Sequence, residues 1–324
     1  MDALSRFGDR FKLTGRVTLT ACPLCGSEEI GLLWQLPQNR LPPGVRLSAP
    51  GHSINTLYID YLPTLEAPQS IFRFDICAVC ETIFLNPKSD DQAIYVADKS
   101  KVKSFREKGV DEFRGFVRGT LALMPAETRK VVDMACGAGQ ALHLLREARP
   151  EIAYVGLELS KPSVDFMRDD LKFEAHQVDL DRDDLDAIVA PGSVDFVIVQ
   201  EAYEHVRDPI TLMKKAARML RPGGLVWMTA QYWGDNALQI RVGEPIYINE
   251  KGFRLTLEEC GLHVEKLARD VKIRALLRKP LTADEPVPAF DWKAAKVTPK
   301  PVAPGLPAKP GWKRRIGRFL KTLR

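Results

Sequence analysis

The chain has 324 residues, a hydrophobic content of 45% and a charged content of 27%, values typical of a soluble globular protein. No apolar run reaches the roughly 18 residues that a membrane-spanning helix needs, and the first residues lack a signal-peptide core, so we expect a cytoplasmic protein. Residues 292–324 hold ten Lys or Arg and no acid, while the other residues hold 37 basic and 42 acidic side chains, so the net charge of +5 comes from this tail.

Two Cys-x-x-Cys pairs mark residues 1–97 as a region of their own: Cys22 with Cys25, and Cys77 with Cys80. Two such pairs can give four thiolates to a tetrahedral zinc ion, and structural disulfides are rare in the cytoplasm. The sequence therefore predicts an N-terminal zinc-binding domain. Four Cys ligands leave no open position for water, so this zinc is expected to be structural. The alternative is a set of redox-active or unpaired cysteines.

Residues 98–128 are charged with periodic apolar positions, which predicts a helical linker or lid. From 129 to 280, apolar strand-like runs alternate with helical patterns. This alternation predicts an α/β fold with a doubly wound, mostly parallel, Rossmann-like sheet. The predicted strands are KVVDMA, AYVGLE, FEAHQV, VDFVIVQ and GLVWMTAQ, with two more in HVEKLARDVKIRALLRK. The predicted helices are ALHLLREA, PSVDFMRDDL, DDLDAIVA, PITLMKKAARML and EKGFRLTLEECG, the last closed by Gly261, and RPGG at 221–224 predicts a turn.

The last predicted region, 281–324, is a basic tail rich in Pro and Lys. From Pro286 onward such a composition predicts an extended, disordered segment that buries no core. It ends in GWKRRIGRFLKTLR, where apolar residues recur at helical spacing among basic ones. A short basic amphipathic helix of this kind predicts peripheral association with an anionic membrane at its inner face. The alternatives are a solvated tail without a specific role and a contact with RNA.

The loop after the first strand of the central region reads VVDMACGAGQ. Asp133 ends the apolar run, and the small residues that follow let a backbone approach a ligand closely, next to the free N–H groups of a helix start. The dinucleotide fingerprint G-x-G-x-x-G is incomplete here, because its third glycine is missing and Ala135 takes the place of the first. An alanine tolerates many backbone conformations but disfavours a positive φ angle, so Ala135 leaves the geometry of this turn open.

On these residues, the central region resembles the class I S-adenosylmethionine-dependent methyltransferases, whose first motif has the form D-x-G-C-G-x-G. Further matches follow in order: YVGLELS, HQVDL, VDFVIVQEAYEHVRDP and LRPGGLVWMT. The resemblance implies a seven-stranded sheet that binds S-adenosylmethionine, with Glu158 on the ribose hydroxyls and Asp179 at the adenine amino group. The cofactor-binding residues that it implies are Asp133, Ala135, Cys136, Gly137, Gly139, Glu158, Leu159, Asp179, Leu180, Gln200 and Glu201.

The N-terminal region indicates a narrower group within this family. Ahead of the central region lie C-P-x-C-G, a later C-x-x-C and F-x-N-P (Phe84, Asn86, Pro87). This combination is similar to the zinc-ribbon methyltransferases of bacterial sugar and cell-surface polysaccharide pathways. This likeness implies methyl transfer to a small molecule, a nucleotide sugar or a glycan precursor. The alternatives are an RNA methyltransferase with a zinc knuckle and a non-catalytic binding protein that keeps the fold. The net negative charge outside the tail disfavours the RNA methyltransferase, because nucleic-acid binding needs a basic surface. The presence of all three predicted cofactor acids, Asp133, Glu158 and Asp179, disfavours the non-catalytic protein.

Methyl transfer to an oxygen or carbon needs a base with a tuned pKa. His205, in AYEHVRDP beyond the fourth strand, is the candidate, and Tyr203 and Glu204 flank it. The alternative is that His205 only orders its loop. Cys136 is expected to be a small packing residue, because no neighbouring group in the sequence would activate its thiol.

Overall fold

The computed structural model describes residues 16–17, 19–36, 46–47, 72–86, 88–89, 93–233, 239–240, 245–269, 272–286, 288, 290–292 and 296–297. The strands are β1 (Arg16–Val17), β2 (Ile30–Leu36), β3 (Arg46–Leu47), β4 (Phe72–Cys77), β5 (Ile83–Leu85), β6 (Lys88–Ser89), β7 (Lys130–Met134), β8 (Ala153–Glu158), β9 (Glu174–Gln177), β10 (Val194–Val199), β11 (Leu220–Gln231), β12 (Gln239–Ile240), β13 (Ile246–Tyr247), β14 (His263–Arg269), β15 (Lys272–Arg278) and β16 (Lys296–Val297). The helices are α1 (Ala93–Val96), α2 (Ser100–Lys108), α3 (Arg114–Leu123), α4 (Gln140–Ala148), α5 (Lys161–Asp169), α6 (Pro209–Met219) and α7 (Glu250–Cys260), with a 3₁₀ turn at Asp111–Phe113.

The central sheet has the strand order β16-β14-β15-β11-β10-β7-β8-β9. The pairs from β11 through β10, β7 and β8 to β9 are parallel, while β15 is antiparallel to both β11 and β14. Setting aside the two-residue edge strand β16, this is the mostly parallel, seven-stranded α/β sheet that the sequence predicted, and the fold class is confirmed. β7 lies between β8 and β10, so the chain reverses its direction of winding there and opens a crevice at the carboxyl ends of these strands.

Helices cover both faces of the sheet, and the pattern of β10 shows why. Its run VDFVIV is apolar at nearly every position, as expected for a strand buried on both sides. Because side chains alternate between the faces of a strand, Val197 and Val199 enter one core cluster while Phe196 and Ile198 enter the other. The first of these clusters also takes in the Cys-x-x-Cys residues, so the N-terminal region and the central domain share one core.

A second, four-stranded sheet has the order β13-β5-β4-β2. It carries the N-terminal region, but its edge strand β13 comes from the far end of the chain and pairs antiparallel with β5. The short strands β1 with β6, and β12 with β3, form two further pairs.

Helix boundaries follow local capping chemistry. The side chain of Asp208 accepts a hydrogen bond from the Thr211 N–H group before α6, and Asn249 does the same for the Gly252 N–H group before α7. Gly261 ends α7 in the left-handed conformation, at φ 61°, as predicted from the sequence. The helical prediction for 98–128 is confirmed by α2, the 3₁₀ turn and α3.

The predicted helix DDLDAIVA is wrong. Within 183–190 the backbone forms a single turn, in which the Leu185 carbonyl accepts from the N–H groups of Ile188 and Val189. Asp184 accepts from the Asp186 N–H group, an alternative to helical bonding that short acidic side chains favour. Pro and Gly at 191–192 then stop any extension.

The predicted RPGG turn lies inside β11 as an irregularity. Val194 is opposite Leu220 but Phe196 is opposite Leu225, so β11 carries extra residues across this point. Gly223, at φ 75°, takes the left-handed conformation that the bulge requires.

The tail prediction needs one correction. Trp292 is 6% exposed, although it follows Pro286 and was expected to bury nothing. Its ring lies 5.8 Å from that of Phe253 and 5.9 Å from that of Tyr232, and the Arg269 guanidinium stacks on it at 4.7 Å. These aromatic contacts outweigh the extended tendency of the flanking prolines.

The remaining tail prediction concerns residues 298–324. They lie outside the described residues, so the basic helix and its membrane association stay predictions. Among the described residues, no helix is long and apolar enough to cross a membrane.

Candidate functional site

The turn after β7 meets the end of β8 at the crevice. The Gly137 N–H group donates to Glu158 Oε2 at 2.8 Å, and the Ser160 N–H group donates to Glu158 Oε1 at 2.9 Å. The sequence prediction that Gly137 and Glu158 belong to one site is consistent with this direct contact. Each carboxylate oxygen accepts one backbone bond here and keeps a lone pair for a further donor.

The turn uses left-handed backbone at Gly137, Gly139 and Ala135, with φ angles of 59°, 80° and 65°. Ala135 therefore adopts the positive φ that an alanine disfavours, and this answers the question that the sequence left open about the turn geometry. The N–H groups of Ala135 and Cys136 both donate to the Leu157 carbonyl, at 2.8 and 3.2 Å, and these bonds offset the strain. Position 139 needs a glycine, because a Cβ atom there would lie 2.9 Å from the sulfur of a methionine on α5.

Two carboxyl groups lie close to the turn: Asp133 is buried and Glu158 is half-buried. Burial raises the pKa of Asp133 well above its usual range, and the charge of Glu158 raises it further. Desolvation also raises the pKa of Glu158, although the N–H groups of Ser160 and Gly137 oppose this. Acids with raised pKa values suit a ligand that brings hydroxyl donors and positive charge.

Cys136 is buried beside these acids. Burial and then the charges of Asp133 and Glu158 raise its pKa well above its usual value. Its Sγ lies 3.6 Å from Met167 Sδ, so the thiol is held as a packing group.

Asp179 follows β9, the strand beside β8. Its side chain accepts from the Asp181 N–H group at 2.9 Å, while its own N–H group donates to Asp183 at 2.8 Å. The carbonyl of Leu180 accepts from a lysine on α6, and that of Leu159 accepts from Gln177. These bonds fix both loops at the edge of the crevice where the sequence placed them.

Gln200 and Glu201 follow β10, and the backbone of Glu201 is left-handed at φ 53°. The Glu201 N–H group donates to Thr229 Oγ1 at 3.1 Å, and its carboxylate pairs with the Lys272 ammonium. Lys272 was not among the site residues predicted from the sequence. It is the first residue of β15, and a strand that runs antiparallel to the others begins at their carboxyl edge, so this position could have indicated a site residue.

The three predicted catalytic residues occupy different environments. Tyr203 and Glu204 are buried, whereas His205 is half-buried. The Tyr203 hydroxyl lies 2.7 Å from Thr256 Oγ1 on α7, and burial raises the pKa of the phenol well above its usual value. Glu204 accepts a hydrogen bond from Gln231 at 3.2 Å. Of the three, His205 therefore has the access that a base needs.

The two Cys-x-x-Cys pairs converge. Their four Sγ atoms all lie within 4.8 Å of one another, and they belong to Cys22, Cys25, Cys77 and Cys80. The Leu24 N–H group points to Cys22 Sγ at 3.5 Å, and the Val79 N–H group points to Cys77 Sγ at 3.4 Å. These contacts give each Cys-x-x-Cys pair the shape of a zinc knuckle. Contacts with the neighbouring sulfurs lower the pKa of Cys77 far below its usual range and raise that of Cys22. This closed set of four sulfurs fits a tetrahedral zinc ion.

Residues 132–228 match the family model described as "Methyltransferase domain". The ubiquinone biosynthesis O-methyltransferase of Bartonella tribocorum is 25% identical over 159 residues, which cover 47% of this chain and 62% of the relative. The trans-aconitate 2-methyltransferase of Azoarcus sp. is 32% identical over 120 residues, or 37% of this chain and 46% of the relative. The chain thus spans about half the length of these relatives.

A solved S-adenosylmethionine-dependent methyltransferase from Aquifex aeolicus shares 15% identity, with a TM-score of 0.44 over 56% of this chain and 98% of its own. The family match places a methyltransferase domain at residues 132–228, and the strand order and the glycine turn described above are consistent with the resemblance to class I S-adenosylmethionine-dependent methyltransferases.

We predict that the chain binds one zinc ion through the four cysteines. Cys22→Ser should lower the zinc content below half an equivalent and destabilise the N-terminal region more than the central domain, because metal binding and folding are coupled there. Metal analysis and thermal unfolding measure both effects. Cys260→Ser is the matched control, since Cys260 lies outside the cluster and should leave the zinc content unchanged. Less than half an equivalent of zinc in the wild-type protein would contradict the prediction.

We predict that Asp133→Asn stabilises the cofactor-free protein at pH 7 by about 1 kcal/mol. The raised pKa of Asp133 means that the folded state binds more protons than the unfolded state above the ordinary carboxyl pKa, so this carboxyl makes stability fall as pH rises through that window. The variant should flatten this decline in thermal unfolding measured from pH 4 to 7, and should bind S-adenosylhomocysteine more weakly.

Asp195→Asn is the control of opposite sign. Although burial raises the pKa of Asp195, bonds from Arg221 and from the backbone N–H groups of Arg129 and Lys130 lower it on balance. Its removal should therefore destabilise the protein at pH 7. A loss of stability in both variants would contradict the role assigned to Asp133.

Proposed function

We propose that this chain transfers a methyl group from S-adenosylmethionine to an oxygen of a small-molecule acceptor. The contact between Glu158 and the Gly137 N–H group carries the proposal, because it joins the predicted ribose acid to the glycine turn at the topological switch point. The match of 132–228 to a methyltransferase domain supports it independently.

The residues that would hold the cofactor are Asp133, Gly137, Gly139, Glu158 and Asp179. S-adenosylmethionine, when bound, supplies a methyl group that is already activated on a sulfonium. Each oxygen of Glu158 accepts one backbone bond and can accept one hydroxyl donor more. The raised pKa of the buried Asp133 carboxyl favours a ligand that brings positive charge.

His205 is the proposed base that takes the proton from the acceptor hydroxyl. A neutral imidazole has one ring nitrogen that can accept this proton. Tyr203 and Glu204, buried and bonded to Thr256 and Gln231, hold the loop that carries it. A bonded Tyr203 of raised pKa stays protonated at neutral pH, so in this proposal it orders the loop and does not act as the base.

The acceptor class rests on separate observations. The names of the relatives, an O-methyltransferase of ubiquinone biosynthesis and a trans-aconitate 2-methyltransferase, support a small molecule with an oxygen acceptor. A nucleotide sugar or glycan precursor is supported by the Cys-pair and F-x-N-P resemblance alone. Incubation with labelled S-adenosylmethionine and pools of phenols, carboxylates, nucleotide sugars and RNA separates these classes. Label in RNA would favour the RNA alternative, and cofactor binding without transfer to any pool would favour a non-catalytic protein.

We predict that His205→Ala lowers turnover on the labelled pool by about 100-fold, because proton removal would lose its base. Affinity for S-adenosylhomocysteine, measured by calorimetry, should change less than about 2-fold, since the side chain would act on the acceptor. His176→Ala is the control, because His176 pairs with Glu174 on β9 and has no role in the proposal. Wild-type turnover in His205→Ala would return His205 to the role of a loop-ordering residue.

A further inference from the structure

Glu81 directly follows the last cysteine of the metal knuckle and contacts two distant segments of the chain. Its carboxylate accepts from Asn249 Nδ2 at 2.8 Å and pairs with the Lys251 ammonium at the start of α7. Its backbone carbonyl accepts from Trp233 Nε1 at 2.8 Å, just beyond β11. One residue thus ties the four-cysteine cluster to the end of β11 and to the N-terminus of α7.

Glu81 adopts a positive φ of 59°. A left-handed backbone costs a residue with a side chain roughly 1–2 kcal/mol, so it persists only where the surroundings hold it. Here the bonds to Trp233, Asn249 and Lys251 provide that hold. The strained conformation aims the carboxylate at α7 and the carbonyl at the end of β11 at once.

Both of these segments reach the loop that carries the predicted catalytic residues. At the end of β11, Gln231 donates to the buried carboxylate of Glu204. On α7, Thr256 contacts the Tyr203 hydroxyl and donates to the Gly252 carbonyl at 2.9 Å. The two residues that precede His205 are therefore bonded to the same two elements that Glu81 contacts.

Backbone bonds connect the two elements to each other. The Ile248 N–H group donates to the Gln231 carbonyl, and the Trp233 N–H group donates to the Ile248 carbonyl, both at 3.0 Å. The four-cysteine region adds its own contacts, because β5 pairs with β13 and the Leu85 N–H group donates to the Pro245 carbonyl at 2.7 Å.

Side chains of the four-cysteine region pack closely against α7. A Cβ atom at Gly252 would lie 2.9 Å from the Leu24 side chain of the first knuckle and 3.2 Å from Thr82 Oγ1. Glycine at this position lets the metal region approach the helix that holds Tyr203. The contacts form a continuous path from the cysteines to the loop at 201–205.

We propose that Glu81 is a positioning residue that couples the four-cysteine metal site to the loop at 201–205, so that the order of the acceptor side of the crevice depends on the metal. The coupling itself is a property of the fold, and its consequence for turnover rests on the proposed function. The path runs through β11 and α7 and ends at Tyr203 and Glu204, which follow the predicted cofactor residues Gln200 and Glu201. It does not pass through β7, β8 or β9. Loss of the coupling is therefore expected to disorder the loop around Tyr203 and Glu204 while most of the cofactor affinity is retained.

The test compares Glu81→Ala, Glu81→Gln and the control Glu28→Ala in the full, zinc-loaded chain. Glu28 is exposed on the first knuckle and serves as a matched loss of a carboxylate. Hydrogen–deuterium exchange of the peptide covering 200–208 is the readout, with zinc content and S-adenosylhomocysteine affinity measured on the same samples. We expect Glu81→Ala to speed exchange there about 10-fold, which corresponds to a loss of about 1.4 kcal/mol of local protection. Glu81→Gln should restore part of it, because its amide oxygen can still accept from Asn249.

Zinc content should stay at the wild-type value in all three variants, and cofactor affinity should change less than about 2-fold, because Asp133, Gly137, Glu158 and Asp179 lie outside the path. Unchanged exchange at 200–208 in Glu81→Ala would overturn the proposal, as would faster exchange spread evenly over 129–233, which would mean a general loss of stability. If Glu81→Ala does not fold, Trp233→Phe removes the bond to the Glu81 carbonyl while keeping an aromatic ring, and the same outcomes apply. A wild-type protein that binds no S-adenosylhomocysteine would count against the proposed function and leave the exchange result to decide the coupling.

Discussion

The hydrogen bond from the Gly137 N–H group to the Glu158 carboxylate is the contact on which the site depends. It can form only because β7 and β8 are adjacent and parallel, so that their carboxyl ends meet, and because the turn has a left-handed backbone. A carboxylate that loses part of its solvent is unfavourable without donors, and here the protein supplies two backbone N–H groups. In the proposed function, the remaining lone pairs of Glu158 accept hydrogen bonds from the cofactor.

The region that carries the four cysteines and the central domain share one hydrophobic core. β13 completes the sheet of the metal region, and the cysteines enter the same core cluster as Tyr203 and Phe253. A closed set of four sulfurs would contribute to folding and not to chemistry, and the contacts of Glu81 connect it to the end of β11 and the start of α7. Under the proposals above, the parallel sheet supports the cofactor side of the crevice and the four-cysteine region supports the acceptor side.

The strands of the central sheet, the capped helices and the convergence of the cysteines could be predicted from the sequence, because apolar periodicity and motif spacing are local signals. What it missed depends on distant contacts. Ala135 adopts a positive φ because the Leu157 carbonyl holds its N–H group, and Trp292 is buried because Phe253 and Arg269 lie beside it. The contacts of Lys272 and Glu81 could not be predicted for the same reason, because only the folded chain brings each side chain to its partners. DDLDAIVA has helical spacing, but local bonding by its acids prevails.

Calorimetric titration of the zinc-loaded chain with S-adenosylhomocysteine, in the wild type and in Glu158→Ala, tests the central claim most directly. We expect one site per chain in the wild type and a loss of roughly 1–3 kcal/mol of binding free energy in the variant, because the hydroxyl donors of the bound ligand would lose the acceptor that Glu158 provides. Equal dissociation constants for the two proteins, or no binding by the wild type at about 1 mM ligand, a level at which methyl donors and other substrates normally saturate their enzymes, would contradict it.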